Sequence, residues 1–135
     1  MKPTCVLIAL MGILVYAQAP ATMRELMLDL IHPASNDILL FVNRSVPKSD
    51  SEWAVVRRSA LTLQESGDLL TKRNGQADWV KDARMLADVG AAGYKAAKAK
   101  DFKALAALTE SLDASCTTCH KQYRPNVFPR EGGSK

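Results

Sequence analysis

Two stretches of this chain place apolar or small residues at alternating intervals of three and four. They are Trp53, Val56, Ala60, Leu63, Gly67 and Leu70, then Trp79, Ala83, Leu86, Gly90, Gly93 and Ala97. That alternation is the seam of a helix packed against other helices, whereas a half-buried strand would alternate every second residue. Two flanking segments keep helical spacing. The first carries Met23, Leu26, Met27, Leu30, Ile31, Ile38, Phe41 and Val42, with Pro33 expected as a kink or short break. The last carries Phe102, Leu105, Leu108, Leu112, Cys116, Cys119 and Tyr123, and ends at Pro125.

Local signals mark the boundaries. Ser49 with Glu52 is a capping box for the second helix, Asn74 and Gly75 are its expected end, and Asp101 is a cap for the fourth. Four helices of about 20 residues with short connections predict an all-α, antiparallel up-down-up-down four-helix bundle. Aromatic residues make up only 6% of the chain, too few for a typical β-sandwich core. The small residues Gly90 to Gly93, Ala96 and Ala97 admit two readings, close helix contact or a wall that lets a bulky cofactor approach.

Met1 and Lys2 precede an apolar run from Cys5 to Tyr16, followed by Ala17 and Ala19. This basic, apolar, small-residue order is that of a secretory signal peptide, and the run is short for a membrane span of about 20 residues. We expect residues 1–17 to be cleaved, with a cut after Ala19 as the alternative. A domain over 18–124 and a flexible tail over 125–135 then follow. The reading is of an exported, periplasmic protein with no stable membrane insertion. Loss of Lys2 lowers the net charge from +4 to +3, too slight and dispersed to indicate nucleic acid. Cys5 leaves with the signal, so Cys116 and Cys119 are the cysteines of the mature chain.

Those two stand in Cys116-Thr117-Thr118-Cys119-His120, the C-x-x-C-H attachment signature of haem c. Thiols three residues apart on a helix project from nearly one face and can add to two porphyrin vinyl groups. His120 follows and can reach the iron as the proximal ligand. The pattern arises by chance in under about 1% of chains of this length. The competing readings are a Cys116–Cys119 disulfide, a dithiol redox centre and a zinc site. A thioredoxin-like dithiol belongs near a βαβ unit at a helix N-terminus, and zinc would need a further donor, with His32 the remaining histidine.

A single C-x-x-C-H near the end of a four-helix bundle, continued as Lys121-Gln122-Tyr123-Arg124, resembles the class II c-type cytochromes. These comprise cytochrome c′ and its low-spin c-556-like relatives. The segment from Met27 through Ile31-His32-Pro33-Ala34-Ser35-Asn36-Asp37 is similar to one in exported members of that group. The resemblance implies one covalently bound haem c and a distal side facing Met23, Leu26, Met27 and Leu30. In the family, a methionine there gives six-coordinate iron suited to electron transfer, and an apolar residue leaves iron open to NO or CO. We expect Met27 as the distal ligand, with Met23 as the alternative. Met85 is expected in the core. His32 reads as a surface or kink residue away from the iron.

Arg124 matches the family's basic residue after the motif, and Arg124 and Arg24 are candidates for the haem propionates. Trp53, Trp79, Tyr94 and Tyr123 are candidate pocket walls or core residues. No distal His–Arg arrangement suited to peroxide cleavage is evident, so an enzyme is not the expectation. The expected function is one-electron transfer between redox partner proteins, with an NO- or CO-binding protein as the alternative. A homodimer is a form common in the family.

Overall fold

The computed structural model describes residues 19–126. The expected signal segment 1–17 and the tail beyond Asn126 lie outside the described residues. Helices α1 (Met23–Glu25) and α2 (His32–Arg44) are joined without a break by a π-helical segment, Leu26–Ile31. Helices α3 (Asp50–Thr71), α4 (Ala77–Ala99), α5 (Phe102–Ala106) and α6 (Thr109–Tyr123) follow. No strand is present among the described residues. Four helical columns pack together, the fourth made of α5 and α6.

Pairings between columns fix their directions. Gly67 meets Ala87 and Gly90 meets Gln64, so α3 and α4 run antiparallel. Trp79 packs edge-on against Tyr123 at the start of α4, and Leu108 approaches Gly93 further along, so α4 and the last column are antiparallel too. Asp37 accepts a 2.8 Å hydrogen bond from the buried Ser59 hydroxyl, tying α2 to α3. The closest pair is α3 with α4, whereas α2 touches α5 and α6 sparsely. The four columns therefore form a helical bundle, packed most closely between α3 and α4.

The α3–α4 seam explains that closeness. Val56, Ala60 and Leu63 are fully buried, and every seam position of α3 is inside. A Cβ on Gly67 would lie 2.5 Å from the Ala87 backbone nitrogen. One on Gly90 would lie 2.7 Å from Gln64 Cα and 2.9 Å from the Ala60 carbonyl oxygen. The stripe of small residues is therefore a helix–helix contact, and Gly90 within it is needed for space. Burial of these seams is the main favourable term, at about 25 cal/mol per Å² of apolar area removed from water.

The caps follow the sequence. Ser49 and Glu52 form a reciprocal capping box, and Asp101 accepts from the Ala104 N–H at 2.9 Å. Thr22 and Glu25 form a second box that opens α1.

Three local expectations are corrected. First, Pro33 does not break the column, which stays helical through a π segment. The backbone N–H of His32 bonds to the Met27 carbonyl, five residues back. Proline has no N–H and its ring would press on the carbonyl four residues earlier, and the wider π turn accommodates both. Second, α3 ends at Thr71, three residues before Asn74. Lys72 and Arg73 close it with tight bonds to the carbonyls of Leu69 and Leu70. Third, the last segment is divided at Ala107–Leu108, where the Leu108 N–H turns back to the Leu105 carbonyl at 3.1 Å.

Candidate functional site

One end of the bundle gathers the beginning of the first column, the end of α3, the beginning of α4 and the end of α6. Between them lies a cavity of about 350 Å³. The first column lines it with Met27, Leu28, Ile31, His32 and Ser35. The α3 and α4 helices supply Leu70, Asp82, Ala83 and Leu86. Helix α6 supplies Asp113, Ser115, Cys116, Thr117, Cys119 and His120, with Arg124 just beyond it. Most of the wall is apolar, as suits a large apolar ligand carrying a few polar anchors.

Both motif cysteines are free thiols and half-buried. Burial, and then the nearby Asp82 and Cys116, push the Cys119 thiol up to about 11. Burial raises Cys116 as well, against a contact from the Ser115 hydroxyl, with Asp113 adding to the rise. Cys116 is deep inside α6, which starts at Thr109, so neither thiol has the helix N-terminus that would favour a thiolate. This is the wrong environment for a dithiol redox nucleophile. His120 shifts the other way: burial, and then the Arg124 charge, hold its imidazole below the ordinary range, which favours the neutral form a metal needs. Its carbonyl accepts from the Arg124 N–H at 2.8 Å.

Met27 and Met23 separate clearly. Met27 lines the cavity, and Met23 is not among its lining residues. The π segment causes a second departure. Leu30, expected on the inner face, is 43% exposed, whereas Ile31 is buried and lines the cavity. A turn closing on the fifth residue rotates the positions after Met27 relative to an α-helix, which also carries His32 to the cavity rim. The expectation that His32 lies away from the site is thus corrected. Arg124 lines the cavity and Arg24 does not; both side chains are exposed.

None of Trp53, Trp79, Tyr94 or Tyr123 is a lining residue. Trp53 is buried in the core. Trp79 donates its indole N–H to the Leu70 carbonyl at 2.7 Å and meets Tyr123 edge-on with ring centroids 4.8 Å apart. Tyr94 lies beneath the Lys98 ammonium at 5.7 Å. These aromatics pack the bundle and do not wall the cavity. Met85 is half-buried on α4, away from the cavity lining.

The sequence reading missed Asp82. It is 6% exposed, it lines the cavity, and its Oδ2 has no hydrogen-bond partner among the described residues. A signal existed: Asp82 is three residues after Trp79 and four before Leu86, a charge on an otherwise apolar seam.

Among the described residues, no three His, Cys, Asp or Glu side chains are grouped as a bare metal ion would need, so the zinc reading lacks its donors. No described helix is long and apolar enough to cross a membrane. Searches of family models, curated proteins and solved structures return no match to this chain.

Proposed function

We propose that this chain is an exported monohaem c-type cytochrome of the class II kind, carrying single electrons between redox partner proteins of the periplasm. The observation that carries the proposal is that one cavity collects both thiols of the C-x-x-C-H motif, its histidine, and a methionine from a different helix. The residues fit the group. The walls are apolar, both cysteines are free thiols as addition to a vinyl group requires, and burial shifts the imidazole towards the neutral, ligating form.

In this reading Cys116 and Cys119 each form a thioether. Each sulfur bonds to a vinyl carbon while the neighbouring carbon receives the proton. His120 on α6 and Met27 on the π segment are the residues that would hold the iron. A haem c bound there supplies a one-electron Fe(III)/Fe(II) couple, and a thioether ligand raises its potential. Arg124, on the rim, is placed to meet a propionate with its planar fork. The apolar wall would limit water at the bound group, and the close α3–α4 contact supports the cavity from behind.

The test is the absorption spectrum of the protein, expressed with its leader in a host that attaches haem c. Covalent haem survives denaturation, and the reduced protein shows sharp, split bands that CO does not change. Broad bands that shift with CO overturn the six-coordinate reading in favour of an NO- or CO-binding protein. Absence of haem overturns both.

A further inference from the structure

The small basic excess of the chain is dispersed along the sequence, but the fold collects it at one end. Opposite the cavity meet the end of α2, the α2–α3 loop, the start of α3, the end of α4 and the start of α5. Residues 44–52 and 95–103 bring six cations there, Arg44, Lys48, Lys95, Lys98, Lys100 and Lys103, against three acids. The other described residues hold nine cations and ten acids. All six cations of this end are exposed. Its three acids each have work within the fold. Asp50 pairs with Lys100 at 2.5 Å, which ties the two segments together. Glu52 accepts from the backbone N–H of Ser49, and Asp101 from that of Ala104, in the caps of α3 and α5. In the α2–α3 loop Val46 is 45% exposed between Arg44 and Lys48, while the neighbouring Pro47 is buried. The Lys48 N–H donates to Glu52 at 2.6 Å, so the loop is fixed on both sides of its apolar residue.

We propose that this basic end is a docking surface for the anionic phospholipid headgroups of a bilayer, with the cavity end turned away from the membrane. Two observations select lipid over an acidic protein. First, five of the six cations are lysines. Protein interfaces are poor in lysine and rich in arginine and aromatic rings. A lysine is a point charge on a flexible stem, suited to headgroup phosphates of no fixed geometry, whereas a carboxylate partner favours the planar fork of arginine. Second, the exposed apolar residue of the loop stands between two cations. Such an arrangement lets an apolar side chain enter below the headgroups while the charges stay among the phosphates. The inference uses the export reading above, which places the chain beside phospholipid. It does not use the haem, whose cavity is one α3 length away, roughly 30 Å.

The experiment is co-sedimentation of the mature protein, purified from the periplasm, with vesicles of phosphatidylcholine alone or mixed with phosphatidylglycerol. The protein is expected to bind only the anionic vesicles and to be released by salt. Lys48→Gln combined with Lys103→Gln lowers the partition coefficient about 25-fold, each cation near an anionic surface being worth about fivefold. Val46→Ser leaves the charge alone and lowers it by up to about tenfold. Lys72→Gln combined with Lys81→Gln, exposed positions at the cavity end, leaves binding unchanged. In the wild type, lysine acetylation on vesicles spares Lys48 and Lys103 and still modifies Lys72 and Lys81.

Protein that stays in solution beside anionic vesicles at low salt, or that binds them equally after Lys48 and Lys103 are replaced, overturns the inference. Equal weakening by the two lysine pairs also overturns it, since attraction would then follow net charge alone. Retention on soluble polyglutamate with none on vesicles makes this end an acidic-protein surface and overturns the lipid assignment. If a variant does not fold, a wild-type acetylation pattern that vesicles do not change is sufficient to overturn it. Absence of covalent haem, scored separately on the denatured protein, overturns the function proposed above and leaves this inference standing.

Discussion

Trp79 donates its indole N–H to the carbonyl oxygen of Leu70 at 2.7 Å, across the turn that joins α3 to α4. The acceptor is at the last turn of α3, and Leu70 itself lines the cavity. This bond therefore fixes the floor of the site to the helix that carries Asp82. Trp79→Phe keeps an aromatic ring against Tyr123 but removes one of the carbonyl's donors, leaving the Arg73 N–H. The expected loss is about 0.5–1.5 kcal/mol, measured by thermal or denaturant unfolding. A variant as stable as the wild type would show that the Arg73 N–H satisfies the carbonyl without the indole.

Gly90 and Gly75 should respond oppositely to alanine. A methyl group at Gly90 would meet the Gln64 and Ala60 backbones, which cannot step aside. Gly90→Ala is expected to lose about 1–3 kcal/mol, despite the better helix propensity of alanine. Nothing lies within 4 Å of the Cβ position at Gly75, so Gly75→Ala should be close to neutral. Unfolding curves of the two variants decide whether the α3–α4 contact is as tight as described.

The Cys119 thiol gives a prediction for the haem-free chain. In a Cys116→Ser background its alkylation rate should keep rising with pH well beyond the ordinary thiol range, because burial and Asp82 still push the thiol up once the Cys116 contribution is gone. Since the folded value is above the ordinary thiol range near 8.5, Cys119 contributes its full share of stability below about pH 8.5. That share is lost as pH rises towards 11, because the unfolded chain releases the proton first. An alkylation profile levelling off near 8.5 would contradict the burial of this thiol.

Met27 and Met23 provide the sharpest contrast for the haem-loaded protein. Met27→Leu should convert a sharp-banded, CO-insensitive spectrum into a broad one that binds CO. Met23→Leu should leave the spectrum unchanged, since Met23 is not part of the cavity lining. If both variants keep the wild-type spectrum, the sixth ligand is neither methionine, and His32 on the cavity rim is the next residue to replace.

The seams of α3 and α4 were legible because burial there follows a strict seven-residue repeat, and the two caps because their hydrogen bonds are local. Ser49 with Glu52 and Asp101 needed no tertiary information. The C-x-x-C-H motif was legible for the same reason, since its residues are contiguous on α6. Other features depended on neighbours far along the chain. The exposure of Leu30 and the rim position of His32 follow from the π turn, which answers Pro33 in a way periodicity does not encode. The aromatic residues gave no sign of whether they face core or cavity, because either environment accepts them. Asp82 was overlooked because apolar periodicity was read and its interruption was not.

The π segment also has a meaning in terms of chain length. A turn that closes on the fifth residue instead of the fourth holds one more residue than an α-helical turn. The segment Leu26–Ile31 thus behaves as a one-residue insertion inside a continuous helix. Deleting a single residue there would restore the α-helical register. It would rotate Met27 by roughly 100° about the helix axis relative to α2, while the α2–α3 tie between Asp37 and Ser59 stayed in place. Which side chain of the first column lines the cavity with His120 is therefore set by the count of residues before Pro33 as much as by their identity.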